Sequence, residues 1–253
     1  MFFLEYKLLI LFFVMARVVG ITIYIPYFNS NMVPLNVRIF IIFFISYLTT
    51  VNLDAVVSYE VSIVYVILNI IINFIIGVTI GIIMNIIFYA VEFAGEFFGV
   101  QMGFALASVV NPIYNSEISI LAEMTTLVST MIFFIFKGHI YLYSLIIESF
   151  EKIAVLPDIN FTNFTIFASK LGDIFYIGLQ FAMPITAFMI FTNLSLGIIN
   201  RLMPQMNVFM VGIPINILVG FLILMVVISS WEENFIKIFF QLYHWILNTI
   251  ETI

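Results

Sequence analysis

The sequence predicts an all-α integral membrane protein, built of long kinked helices and helical hairpins with about six spans. Three observations predict it. Hydrophobic residues make up 64% of the 253 positions and charged residues 9%, where soluble domains run nearer half apolar and a quarter charged. The apolar positions form continuous runs, without the alternation in segments of about ten residues that a membrane β-barrel needs. The runs are also long enough for lipid, since about 20 apolar residues cross a bilayer as a helix. In lipid the backbone must satisfy its own hydrogen bonds, which selects helices.

Stretches free of Asp, Glu, Lys and Arg mark the candidate spans: Val18–Val37, Ile39–Leu53, Val61–Val91, Phe97–Ser116, Met124–Phe136, Ile174–Asn200 and Leu202–Trp231. The corresponding helices are expected at about 3–25, 35–53, 61–93, 118–137, 139–153, 163–200 and 207–250. The opening run carries mixed charges, Glu5 and Lys7, and no small-residue cleavage site follows it, so a retained first helix is expected rather than a signal peptide. Val61–Val91 would measure about 46 Å as straight helix, more than the roughly 30 Å hydrocarbon core. Pro26, Pro184, Pro204 and Pro214 interrupt other runs, together with Asn29, Ser30, Asn31, Gln205 and Asn207. Such breaks at membrane depth require protein or water alongside. Hairpins and kinked helices packed on partner subunits are therefore expected, against the simpler alternative of ordinary tilted spans.

The whole chain, 1–253, reads as one membrane domain, with no polar stretch long enough for a second. The net charge of −6 and the absence of any basic run argue against nucleic acid. Cysteine is absent, which excludes disulfides, thiolate chemistry and Cys-based metal sites. Lys137, Lys152 and Lys170 fall in three neighbouring connections and set no clear orientation.

Glycines spaced by four mark close helix approach in membranes. Gly77 and Gly81 form one such seam, and Gly95, Gly99 and Gly103 a doubled one, with generic packing as the simpler reading over an oligomer contact. The stretch after Gly103 ends in Asn111-Pro112, a turn signal, yet is too apolar for an exposed loop. It reads as a re-entrant loop or plug. Arg17, Glu92, Glu96 and Arg201 stand in apolar surroundings. Two readings apply to them: buried charges that form ion pairs or line a conduit, or interfacial charges that snorkel. Glu92 and Glu96 share a helix face, but no nucleophile or metal motif accompanies them. His139 and His244 lack a second ligand at metal spacing, and HExxH, Walker and GxSxG patterns are absent. No catalytic residue, cofactor or metal is expected. Met203, Met206 and Met210 would share a face, as an adaptable seal or as ordinary packing.

Four segments together resemble the FliR family. ARVVGITIYIPYFNSNMVPLNVR is similar to its N-terminal pattern, AGEFFGVQMGFALASVVNPIYN to its central signature, FFIFKGHIYLYSLIIESFEKIAVLP to its helix junction with Lys137 where Asn is common, and LSLGIINRLMPQMNVFMVGIPINILVG to its NR-x-x-PQ-x-N-x-F run. The matches keep their order and cover nearly the whole chain. The resemblance implies an export-gate protein of flagellar type III secretion, with SctT as its injectisome counterpart, in the bacterial cytoplasmic membrane at the basal body. It implies assembly with FliP and FliQ, with FlhB and FlhA nearby, around a closed pore for unfolded export substrates. It further implies a plug at Gly103, Phe104, Val109, Val110, Asn111 and Pro112. Val109 stands where phenylalanine can occur and Asn111 where aspartate is frequent, so apolar packing of Phe104, Val109 and Val110 would close the pore. A secondary transporter with inverted repeats and midplane binding residues is the rival reading. An intramembrane enzyme fails for want of an acid–base–nucleophile set.

Overall fold

A computed structural model describes residues 2–25, 33–53, 62–104, 119–153, 155, 164–203 and 208–250. Among these the chain forms eight helices in order: α1 (Phe2–Tyr24), α2 (Leu35–Asn52), α3 (Ile63–Met102), α4 (Ile120–Ile135), α5 (Gly138–Lys152), α6 (Phe164–Lys170), α7 (Asp173–Leu202) and α8 (Val208–Ile250). No strand occurs among the described residues. Five helices are long and apolar enough to cross a membrane, or six spans if the bent pair α4–α5 counts as one.

Two expected boundaries move. The third helix does not stop near residue 93 but runs for 40 residues to Met102, about 60 Å. Nothing in Glu92–Met102 breaks a helix, and the glycines at 95 and 99 are filled by a packed neighbour. The expected helix over 163–200 is divided at Leu171–Gly172 into α6 and α7. Glycine weakens a helix interior, and Asp173 in the first turn of α7 suits a helix start. Pro184 lies inside α7 and Pro214 inside α8. The interruption expected at Pro26, Asn29, Ser30 and Asn31 lies outside the described residues.

The chain divides into two compact units. The first comprises residues 1–86, 137–171 and 239–253. Its tightest packing is a glycine contact between α1 and α3. A Cβ on Gly20 would lie 2.5 Å from the Phe74 carbonyl oxygen and 2.7 Å from the Val78 nitrogen. A Cβ on Gly77 would strike the Arg17 carbonyl, and one on Gly81 would lie 2.7 Å from that of Ile21. The two backbones therefore touch directly, which only glycine permits. The end of α8 is tied to α5 and α6. Tyr243 donates to Glu148 at 2.7 Å, Lys152 donates to the Leu247 carbonyl at 3.1 Å, and the Phe167 and Trp245 rings meet edge to face at 5.6 Å.

The second unit comprises residues 87–136 and 172–238. Aromatic rings fill it. Phe88 meets Phe133 at 5.5 Å and Phe235 at 5.3 Å, both edge to face. Trp231 meets Phe181 edge to face at 5.5 Å and Phe98 at 6.2 Å. These are the preferred aromatic geometries. Gly95 of α3 faces α4, where an added Cβ would strike the Thr125 hydroxyl and lie 2.9 Å from the Ala122 Cα. Gly99 approaches Ser119 and Leu121 in the same way.

Candidate functional site

The end of α3 is where the sequence places the start of a plug. Gly103 adopts φ +93°, a backbone conformation that side chains disfavour. Its N–H donates to the Val100 carbonyl at 3.1 Å, and the Phe104 N–H donates to the Gly99 carbonyl at 3.1 Å. This bond pair is the Schellman stop with glycine at its left-handed position. Gly103 is thus a turn residue rather than the third member of the packing seam. A Cβ there would meet Ile213 only at an ordinary 3.6 Å, so conformation, not space, demands glycine.

The three residues of this stop lean on α8. The Met102 side chain fills the place a side chain on Gly220 would take. Gly103 faces Ile213, and the Phe104 ring meets Phe221 edge to face at 6.2 Å. The stop is held on both sides, by its own hydrogen bonds and by an adjacent helix. Val109, Val110, Asn111 and Pro112 lie outside the described residues. Gln101, in the same final turn, has a buried side-chain oxygen with no hydrogen-bond partner.

α7 and α8 form an antiparallel hairpin. Trp231 Nε1 donates to the Phe181 carbonyl at 3.2 Å, and Asn216 Nδ2 donates to Asn193 Oδ1 at 2.8 Å. Pro184 removes a backbone donor from α7, and the Trp231 indole supplies a donor in the interrupted turn. Beyond this base the hairpin is exposed. Phe191 is 70% exposed, Ile198 63%, Leu218 61% and Val226 76%. Gln180, Asn193, Ser195 and Asn200 are exposed among these apolar residues. A helix apolar on every side is made to be buried.

The four candidate charges part company. Arg17 is fully buried in the first unit. Its Nε and Nη2 donate to Asn73 Oδ1 at 3.1 and 2.8 Å. Its Nη1 donates to the carbonyls of Ser149 at 2.7 Å and Ile153 at 3.2 Å, and its guanidinium carbon lies 3.8 Å from the Phe150 ring centre. Asn73 is oriented in turn, since its Nδ2 donates to the carbonyls of Asn69 and Val155, each at 2.9 Å. Arg17 therefore closes the C-terminus of α5, where the free carbonyls and the helix dipole favour a cation, and stacking on Phe150 adds to it. Glu92 is half-buried and Glu96 exposed one turn on; Arg201 is exposed in the last turn of α7. His139, His244, Met203 and Met210 are exposed, and Met206 lies outside the described residues. Among the described residues no three His, Asp or Glu side chains gather to hold a metal ion.

Sequence reasoning missed the partners of Arg17, the contact of Met102 with Gly220 and the Asn193–Asn216 bridge. A signal existed for the first: Asn69 and Asn73 stand four apart in an apolar run, on one helix face. Gly20 also stood in view, as the α1 glycine that meets Gly77.

Fold and site together define an integral membrane protein with one consolidated helical unit and one unit that carries an exposed apolar hairpin. Residues 8–242 match the family described as bacterial export proteins, family 1. The chain belongs to that family. It is 29% identical over 146 residues to the flagellar biosynthetic protein FliR of Escherichia coli K12, covering 56% of either chain. To FliR of Buchnera aphidicola subsp. Schizaphis graminum it is 34% identical over 152 residues, 59% of this chain and 58% of the relative. To the Yop proteins translocation protein T of Yersinia pestis it is 29% identical over 129 residues, covering 50% and 49%. The matched part of the chain thus spans about half the length of these relatives.

Proposed function

We propose that this chain is a core subunit of the flagellar type III export gate. It assembles with FliP and FliQ, beside FlhB and FlhA, in the bacterial cytoplasmic membrane at the basal body. It helps to form and close a channel for unfolded export substrates, and energy comes from other components. The observation that carries the reading is the α7–α8 hairpin, apolar on all sides and interspersed with exposed amides and hydroxyls. Such a hairpin is more readily satisfied by protein helices than by lipid. Membership of an export-protein family and relatives named FliR support the same reading.

Native mass spectrometry of the chain co-expressed with FliP and FliQ tests it. A single stoichiometric complex with one copy of this chain is expected. A stable monomer or homodimer that retains no partner would overturn the reading in favour of a transporter. In the same framework Gly103 turns the chain out of α3, and the segment to Pro112 closes the resting pore. Replacing Val109 and Val110 with Gly raises ion leakage through the assembled complex; unchanged conductance would refute the plug. The Yersinia relative supports a second reading, an injectisome subunit. Restored swimming in a cell lacking FliR separates the flagellar role from that one.

A further inference from the structure

The α2 helix is built inside out. Its buried residues are Ile42, Ser46, Thr49 and Thr50, three of them hydroxylated. Those hydroxyls are consumed within the helix: Ser46 donates to the Ile42 carbonyl at 2.7 Å, Thr49 to Ile45 at 2.9 Å and Thr50 to Ser46 at 2.7 Å. The small inward face packs on α1. The outward face is large and apolar. Ile39 is 50% exposed, Phe40 66%, Phe43 47% and Phe44 51%, and the Phe40 and Phe44 rings stack at 6.3 Å. No exposed amide or charge interrupts this face between Arg38 and Asn52. Polar groups mark only its ends: Asn36 and Arg38 at one, where Arg38 Nη2 donates back to the Val33 carbonyl at 3.4 Å, and Asn52 at the other. The distance from Asn36 to Asn52 is about 24 Å of helix, close to the hydrocarbon thickness and within the mismatch a bilayer absorbs. Tyr47, the exposed residue with a polar tip, falls within two turns of the Asn52 end, as aromatic anchors do.

We infer that the outward face of α2 is a lipid-facing surface, in contact with acyl chains while the protein is assembled. This distinguishes it from the α7–α8 hairpin, whose exposed face mixes Gln180, Asn193, Ser195 and Asn200 with apolar residues. In hydrocarbon those amides are costly; on α2 the outward face carries no amide or charge between its ends, and its one polar tip, the Tyr47 hydroxyl, lies toward the Asn52 end.

The chain has no cysteine, so nitroxide labels can be placed singly. Phe40→Cys, Phe43→Cys and Phe44→Cys, labelled in the full chain in native membrane vesicles, are read by power-saturation EPR with oxygen and a water-soluble nickel chelate. Expected is a severalfold excess of oxygen over nickel access at all three positions, with Asn193→Cys showing a much smaller ratio. Nickel access dominating on α2 would place the face in water. Exclusion of both reagents would place it under a protein partner. Either result overturns the inference. Failure to form a complex with FliP and FliQ would leave the EPR ratio readable, so the two readings fail separately.

Discussion

The helices around Arg17 and the α7–α8 hairpin are drawn from the same residue types, yet one region is closed and the other open. In the first unit a buried guanidinium, a buried amide and the end of α5 satisfy one another, and glycine backbones lock α1 to α3. In the hairpin two hydrogen bonds, from Trp231 to the Phe181 carbonyl and from Asn216 to Asn193, join helices whose outer faces stay exposed. Apolar composition therefore does not decide what is core. What decides is whether the chain itself supplies the complementary group within reach. Where it does, the region is closed within the chain; where it does not, the surface stays exposed.

The largest test of that contrast is Arg17→Met. Removing the guanidinium strands Asn73 Oδ1 and the Ile153 carbonyl in a dry interior, while the Ser149 carbonyl keeps only the Ile153 N–H at 3.0 Å. A loss of about 1 to 3 kcal/mol for each buried acceptor left unsatisfied is expected, read as a lowered unfolding midpoint in detergent. An unchanged midpoint would mean the cluster is not what closes the first unit. Gly77→Val follows, because its side chain would strike the Arg17 backbone, which cannot yield. Forced separation of α1 and α3 should cost about 1 to 3 kcal/mol in the same measurement.

The turn residues give a smaller, two-signed test. Gly103→Ala places a side chain at φ +93° and should cost about 1 to 2 kcal/mol. Lys137, at φ 61° between α4 and α5, already bears such a cost, so Lys137→Gly should stabilise by up to about 1 kcal/mol. Hydrogen exchange at the ends of α3 and α4 resolves both. The smallest effect on the fold should come from Asn193→Leu with Asn216→Leu. Interhelical hydrogen bonds in membranes average about 0.6 kcal/mol, so the unfolding midpoint should barely move. Retention of partner subunits in native mass spectrometry should fall nonetheless. The converse pattern would make the hairpin a self-contained element.

Much of this was legible before any coordinates. Helix class and most boundaries follow from apolar runs, because a bilayer forces backbone groups to pair within the segment. The glycine spacings marked α3 as a helix that others approach closely. Two boundaries were not legible. The seam at Gly95 and Gly99 gives no end for α3, which runs on to Met102 against α4, and Gly103 looks like a repeat of that seam until its left-handed backbone is known. Spacing alone cannot separate a glycine kept for room from one kept for conformation. Lys137 carries the same lesson in reverse, since the left-handed position it occupies is one that Asn adopts more readily.

Composition and pattern by themselves determined that this protein is helical, lives in a membrane and has no use for cysteine chemistry. The order of four motifs determined its family resemblance. Only the tertiary structure decided which of four isolated charges is buried. Arg17 has the end of α5 and Asn73 beside it, whereas Arg201 ends a hairpin that offers it no interior. A charge's environment is made by residues distant in sequence, here 56 and 132 positions away, and local pattern carries no record of them. Likewise hydropathy marks α2 and α7 alike as apolar spans. Their outward faces differ because packing turns the hydroxyls of α2 inward and leaves the amides of α7 outside.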